Sequence, residues 1–203
     1  TEGFEAQEFG ESKVVSGDEL LEMMLRLNGE PGSAWGKLYS RELVPLLTFP
    51  IGQLFEDFGV EATIFAHIDK ACVSGSKFYG YLARDGSITT VKRYGDKHLD
   101  GMESSLSVVR NVVNFKPALK DAFSCFEAFC SLRVASRLDL SKCADKERAK
   151  AYIAEARKCC RLASSNPLAS KTWQMRCKLF AFSPLLHNLA YRLYGKLTGK
   201  VVG

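Results

Sequence analysis

Apolar residues recur along this chain at helical spacing for most of its length. Leu20, Leu21, Met24, Leu25 and Leu27 follow Ser16, and Glu19 stands three positions after that serine. This is a capping-box pattern, so a helix is expected to start there and to stop at Asn28-Gly29. Glu30-Pro31-Gly32-Ser33 reads as a turn, and a short helix through Arg41 to Leu47 leads towards Phe49-Pro50. Phe58, Ala62 and Phe65 then recur at i, i+4 and i+7, which predicts a helix opening near Phe55. Lys70 to Val73 and Phe78 to Leu82 read as short strands, and Arg84-Asp85-Gly86-Ser87 as the loop that ends the second. Residues 1–16 are acidic and without period, a mobile lead-in or a strand separated from its neighbours.

From about Glu103 the pattern is purely helical. Leu106, Val109 and Val113 mark one stripe, Leu119, Phe123, Phe126 and Cys130 a second, and Ala149, Tyr152, Ile153, Ala156 and Cys160 a third. Breaks fall at Asn114 to Pro117 and at Leu138 to Ser141, and Asn166-Pro167 ends the third helix, since a residue before proline is turned away from helix. The last stretch, Trp173 to Lys200, interleaves aromatic residues with Arg and Lys and is interrupted by Pro184. The expected fold class is α+β and predominantly α-helical, with a small sheet in a first region, residues 1–100. A helical region, residues 101–203, follows.

The chain has 203 residues, 46% of them hydrophobic and 25% charged, which is ordinary for a globular domain. No apolar run reaches the length of a membrane span, and no signal peptide opens the chain. Its first residue is Thr1 rather than Met, and the chain reads as a piece of a longer protein. The seven cysteines form no Cys-x-x-Cys and the three histidines lie far apart. Buried, reduced thiols in a cytoplasmic protein are therefore expected rather than a zinc site.

The net charge of +5 hides a gradient: −8 over residues 1–61, +3 over 62–140 and +10 over 141–203. The last third thus suits an anionic surface, such as the inner face of a membrane, with anchors among Trp173, Phe180, Phe182, Tyr191 and Tyr194. The alternative is a tail packed on its own domain, with Trp173, Phe180 and Tyr191 buried against the Phe123 helix and its cations solvated. Nucleic acid is not expected as a partner, because charge alone supports it and no recognition motif does.

Three blocks carry the candidate chemistry. The first is Ser33-Ala34-Trp35-Gly36-Lys37-Leu38-Tyr39, the second Phe49-Pro50-Ile51-Gly52-Gln53-Leu54-Phe55-Glu56-Asp57-Phe58, and the third Tyr79-Gly80-Tyr81-Leu82-Ala83-Arg84-Asp85-Gly86-Ser87. In this order and spacing they resemble the acceptor-side part of family 2 glycosyltransferases, which typically read Trp-Asn-Lys-Leu-Tyr, Phe-Pro-x-Gly-x-x-x-Glu-Asp and Tyr-x-Tyr-Arg-x-Arg-x-x-Ser. Gly36 stands where Asn is usual, and Leu82 where Arg is usual. The resemblance implies a remnant of a GT-A-like α/β domain followed by a helical extension.

It also implies inverting transfer of a sugar from a nucleotide-sugar donor to a saccharide or lipid-linked acceptor, as in cell-surface polysaccharide synthesis in bacteria. Such a transfer needs a base for the attacking hydroxyl, and the match places that role on Asp57, oriented by Glu56. At a helix start the dipole and free N–H groups are expected to keep Asp57 ionised. Lys37 and Arg84 are the cations offered to the diphosphate or sugar, Ser87 adds a hydroxyl, and Trp35 and Tyr81 offer stacking surfaces. The chain contains no Asp-x-Asp, so no cofactor is expected within it. A divalent metal, Mg or Mn, belongs to the full-length parent, and the isolated chain is expected to be inactive. The competing reading is a non-enzymatic helical adaptor that binds a membrane surface or an acidic partner through its basic last third.

Overall fold

The computed structural model describes residues 10–27, 32–76, 79–80 and 91–198. Within them the architecture is α+β and predominantly helical, as the periodicity predicts. β1 (Ser12–Ser16) pairs antiparallel with β2 (Lys70–Ser74), Ser12 opposite Ser74 and Ser16 opposite Lys70. The acidic lead-in therefore ends as a strand, and its partner is the first of the two expected strands. Of the second, Tyr79 and Gly80 carry no strand structure, and Phe78, Tyr81 and Leu82 lie outside the described residues.

α1 (Gly17–Leu25) starts as the capping box requires. The Glu19 N–H donates to the Ser16 hydroxyl at 3.1 Å, and the Ser16 N–H donates to the Glu19 carboxylate at 2.8 Å. These bonds hold the Glu19 carboxyl below the usual carboxylate range. A 3-10 turn (Arg41–Leu46) precedes α2 (Glu56–His67), which opens one residue after the expected Phe55.

α3 (Asp96–Asn114) begins seven residues before the expected Glu103. Leu99 and Met102, both buried, extend the Leu106 stripe towards its N-terminus. Gly101, which reads as a helix breaker, is required there: a Cβ on it would lie 2.3 Å from the Leu54 carbonyl oxygen. That close approach sets α3 directly against the loop entering α2.

α4 (Lys120–Ala135) is buried on more than one side, including Phe126, Ala128, Cys130 and Leu132. It packs against α1, α3 and α5 (Lys146–Ala163). α6 (Lys171–Phe182) lies on α5, and α7 (Pro184–Thr198) on α6, with Ser183-Pro184 as the break between them. One continuous cluster of apolar side chains, from Val15 to Ala181, fills the space between these elements. Six of the seven cysteines are buried thiols and Cys72 is exposed. Burial pushes Cys125 and Cys159 up to about 11, the behaviour expected of packing thiols.

Candidate functional site

The Phe49 to Phe58 block is built as a turn that delivers two acids to a helix start. Gly52 takes φ +76° and the Gln53 N–H reaches the Pro50 carbonyl at 3.4 Å, so glycine occupies the turn position that needs a left-handed backbone. Phe55 also adopts φ +61°, a conformation that strains a residue with a side chain. Its ring lies 5.4 Å under the Arg133 guanidinium of α4 and 6.2 Å from Tyr94. Ser105 of α3 donates to the Phe55 carbonyl at 2.6 Å and accepts from the Gly59 N–H at 3.1 Å. The strained residue is thus held from two neighbouring helices.

Glu56 and Asp57 follow immediately, both half-buried. The Asp57 carboxylate accepts from the Phe58 N–H at 3.2 Å. Contrary to the expectation from the helix dipole, its carboxyl is raised above the usual carboxylate range. Burial is the main cause, followed by the neighbouring Glu56 charge; the Phe58 N–H and Arg133 oppose them and lose. The group is therefore a stronger base than a solvated aspartate. Among the described residues no group of three or more His, Cys, Asp or Glu side chains converges on a common point. With an N–H bond and an arginine as its electrostatic neighbours, Asp57 does not fit a divalent cation.

The Trp35 block is docked on the same helix. Lys37 donates to the Ser33 carbonyl and lies 3.9 Å from the carboxylate of Glu61, which is fully buried on α2. The Tyr39 hydroxyl donates to the other Glu61 oxygen at 2.5 Å. Glu61 is four residues beyond Asp57, so both carboxylates project from the same side of α2. The Lys37 ammonium also sits over the Phe65 ring at 5.9 Å. The structure thus turns this lysine into the fold.

Trp35 remains 44% exposed and stacks on the ring of Tyr79, centroids 5.1 Å apart and planes at 21°. The first residue of the third block therefore meets the first block. Gly36 takes φ +75°. The left-handed region is the one that glycine tolerates best, so glycine suits this position. Tyr81, Arg84 and Ser87 lie outside the described residues.

Periodicity missed the buried Glu61 and its partly buried partner Tyr39. The signal was present: Glu61 falls between Phe58 and Phe65 on the face that Ala62 also shares. A cleft of about 520 Å³ lies elsewhere, between α3, α4 and α5, and is walled by the Arg110–Glu127 and Arg148–Glu103 ion pairs. Three of the tail aromatics pack on the fold, as the packed-tail alternative expects, while Phe182 is 75% and Tyr194 53% exposed. Phe180 is fully buried, Trp173 lies 5.8 Å from Phe129 of α4, and Tyr191 stacks on the buried His187.

The sequence is similar to glycosyltransferase GlyA of Streptococcus pneumoniae serotype 4, at 30% identity over 82 residues. The match takes in 39% of this chain and 12% of that protein, so the chain spans a small part of its relative's length. This likeness supports a glycosyltransferase-like role and nothing finer. No protein-family model and no solved structure matches. No helix among the described residues is long and apolar enough to cross a membrane.

Proposed function

We propose that the chain is the acceptor-side part of an inverting, family 2 glycosyltransferase of the GT-A type, in which Asp57 is the general base. One observation carries the reading: Glu61 binds Lys37 and Tyr39, which fastens the Trp35 block to the helix that presents Asp57. Two sequence-distant motif blocks thereby share one side of one element. Partial similarity to a glycosyltransferase supports the same class.

In this reading the acceptor hydroxyl attacks the anomeric carbon of a nucleotide sugar and its proton passes to the Asp57 carboxylate. The bond to the nucleoside diphosphate breaks, and the diphosphate leaves with the electron pair. Burial raises the affinity of Asp57 for that proton, and Glu56 beside it adds to the effect. The Trp35–Tyr79 stack offers an exposed apolar face to a sugar ring. Lys37 serves by positioning the Trp35 block through Glu61. Arg84 and Ser87 retain the roles of diphosphate and hydroxyl contacts, and Tyr81 that of a second stacking ring. Charge on the leaving diphosphate is met outside this chain, by a metal such as Mg or Mn in a nucleotide-binding half of the parent. The acceptor is a saccharide or lipid-linked saccharide, and the setting is bacterial polysaccharide synthesis at the cytoplasmic side of a membrane.

The test is nucleotide release from sugar-nucleotide donors by the longer parent. Asp57→Asn is expected to lower kcat by about 10² or more with donor KM little changed. Parental activity in that variant overturns the assignment of the base.

A further inference from the structure

We propose that the outer face of α7 docks on an anionic lipid surface. The helix has two unlike sides. Inward, Asn188 donates to the Ser136 carbonyl at 3.0 Å, His187 meets the Phe180 ring edge-on at 5.2 Å, and Tyr191 covers the Arg176 guanidinium at 4.2 Å. These contacts fix which way the helix faces. Outward, Leu185, Leu189, Leu193 and Leu197 follow at four-residue steps and form one ridge, with Leu186 beside it. Leu185 is 82% exposed, Leu197 86%, and Phe182 at the junction with α6 75%. Scattered exposed leucines need no explanation, but an aligned ridge continued by a phenylalanine does.

Charge identifies the occupant. From Ala156 to Gly203 the sequence holds nine Lys and Arg and no Asp or Glu. Arg192 on α7 and Lys171 and Lys178 on α6 are exposed. The core of a protein interface is depleted of charge, and its rim carries both signs. A leucine ridge in a segment whose charged residues are all cations instead fits a bilayer interface, where acyl chains take the leucines and anionic headgroups the cations. A helix of 15 residues measures about 22 Å, short of the roughly 30 Å hydrocarbon core, so it lies in the plane of the surface. Of the tail aromatics, Phe182 joins this surface, while Trp173, Phe180 and Tyr191 hold the helices to the fold and the leucines face out. The docking surface does not depend on the glycosyltransferase reading.

Sedimentation of the 203-residue chain with vesicles tests this. Vesicles of phosphatidylcholine with about a third phosphatidylglycerol should bind it at low salt, and vesicles of phosphatidylcholine alone should bind it at least ten-fold more weakly. Leu189→Glu with Leu193→Glu alters two exposed positions and should abolish binding while circular dichroism and Tm stay unchanged. Arg192→Gln with Lys178→Gln keeps the ridge and should weaken anionic binding by about five-fold per cation removed. Equal binding to both vesicle types, or equal binding by the leucine pair variant and the parent sequence, overturns the proposal. So does a dimer in light scattering that the leucine variant dissociates without any vesicle binding, since the ridge is then a contact between copies.

Discussion

The Ser105 hydroxyl stands inside the hydrogen-bond ladder of α2. Where the Gly59 N–H would close the first helical turn onto the Phe55 carbonyl, Ser105 accepts from the one at 3.1 Å and donates to the other at 2.6 Å. A side chain from α3 thereby splices itself into the opening of α2 and holds Phe55 at its positive φ. The orientation of Glu56 and Asp57 follows from that splice, because they are the next two residues.

Ser105→Ala should therefore cost more than one surface hydrogen bond. The hydroxyl is buried, and its loss leaves a buried carbonyl and N–H to find each other across a turn that is currently held open. A loss of about 1–3 kcal/mol is expected, the range for orphaned buried polar groups, measured by urea unfolding. A change within about 0.5 kcal/mol, the range of indifferent surface substitutions, means that the direct Gly59–Phe55 bond forms instead and that the splice is dispensable.

Asp57→Asn should change the pH dependence of stability in a definite direction. The folded carboxyl is raised, with burial as the first cause, so folding favours the protonated form. Its contribution is best below the unfolded value of about 3.9 and worsens as pH rises through the folded value. Asparagine keeps the oxygen that accepts from the Phe58 N–H but does not ionise. Relative to the parent sequence the variant should thus gain stability from about pH 4 to pH 7, in paired urea titrations. A variant that loses ground over the same interval shows that Arg133 and the N–H bond outweigh burial.

What the sequence revealed and what it concealed divide along physical lines. The α1 start was legible because Ser16 and Glu19 interact within one turn, and the α6–α7 break because Pro184 cannot continue a helix. α3 was entered late because Asp96, Lys97, His98, Asp100 and Gly101 look like a loop; Leu99 and Met102 were the only apolar signal, and the need for Gly101 comes from Leu54, distant in sequence. The Glu56-Asp57 pair was readable as a motif. The sign of the Asp57 shift was not, because it depends on burial in the tertiary fold. Likewise, the motif offers Lys37 to the diphosphate or sugar, whereas Glu61, distant in sequence and buried on α2, draws it onto the fold. For α7, leucines and aromatics share one helix, and tertiary contacts alone decide which set faces out.

The cysteines give a direct check on packing. Cys72 is exposed, and the other six are buried. Burial raises Cys125, Cys130 and Cys159, and Cys160 is raised first by its hydrogen bond with Cys177 and then by burial. Under native conditions a thiol-exchange reagent should label about one thiol per chain rapidly, and all seven after denaturation. Such labelling follows exposure and thiolate fraction. Rapid native labelling of three or more would mean that α4, α5 and α6 open far more readily than their packing implies.

Acid should loosen the α6–α7 hairpin through His187. The Arg176 Nε–H donates to His187 Nε2 at 3.2 Å, so that nitrogen must accept, and Nδ1, 3.0 Å from the Asn188 side-chain oxygen, carries the proton. A proton added to Nε2 would point at a guanidinium already enclosed by Trp173 and Tyr191. Burial, and then the Arg176 charge, hold His187 below the ordinary histidine value, and the Asn188 bond only partly opposes them. The unfolded chain therefore takes up the proton first. Stability from this site is fully present above the unfolded value of about 6.5 and is lost as pH falls from there towards the folded value. His98, stacked on Tyr94 and lowered by burial and by Lys142 and Arg137, acts in the same direction. His187→Gln can offer Arg176 an acceptor without titrating, so between about pH 7 and pH 5 its unfolding midpoint should fall less steeply than that of the parent sequence. The remaining slope should shrink again in His187→Gln with His98→Gln. An unchanged slope in the first variant would show that Arg176 and His187 part without consequence for the fold.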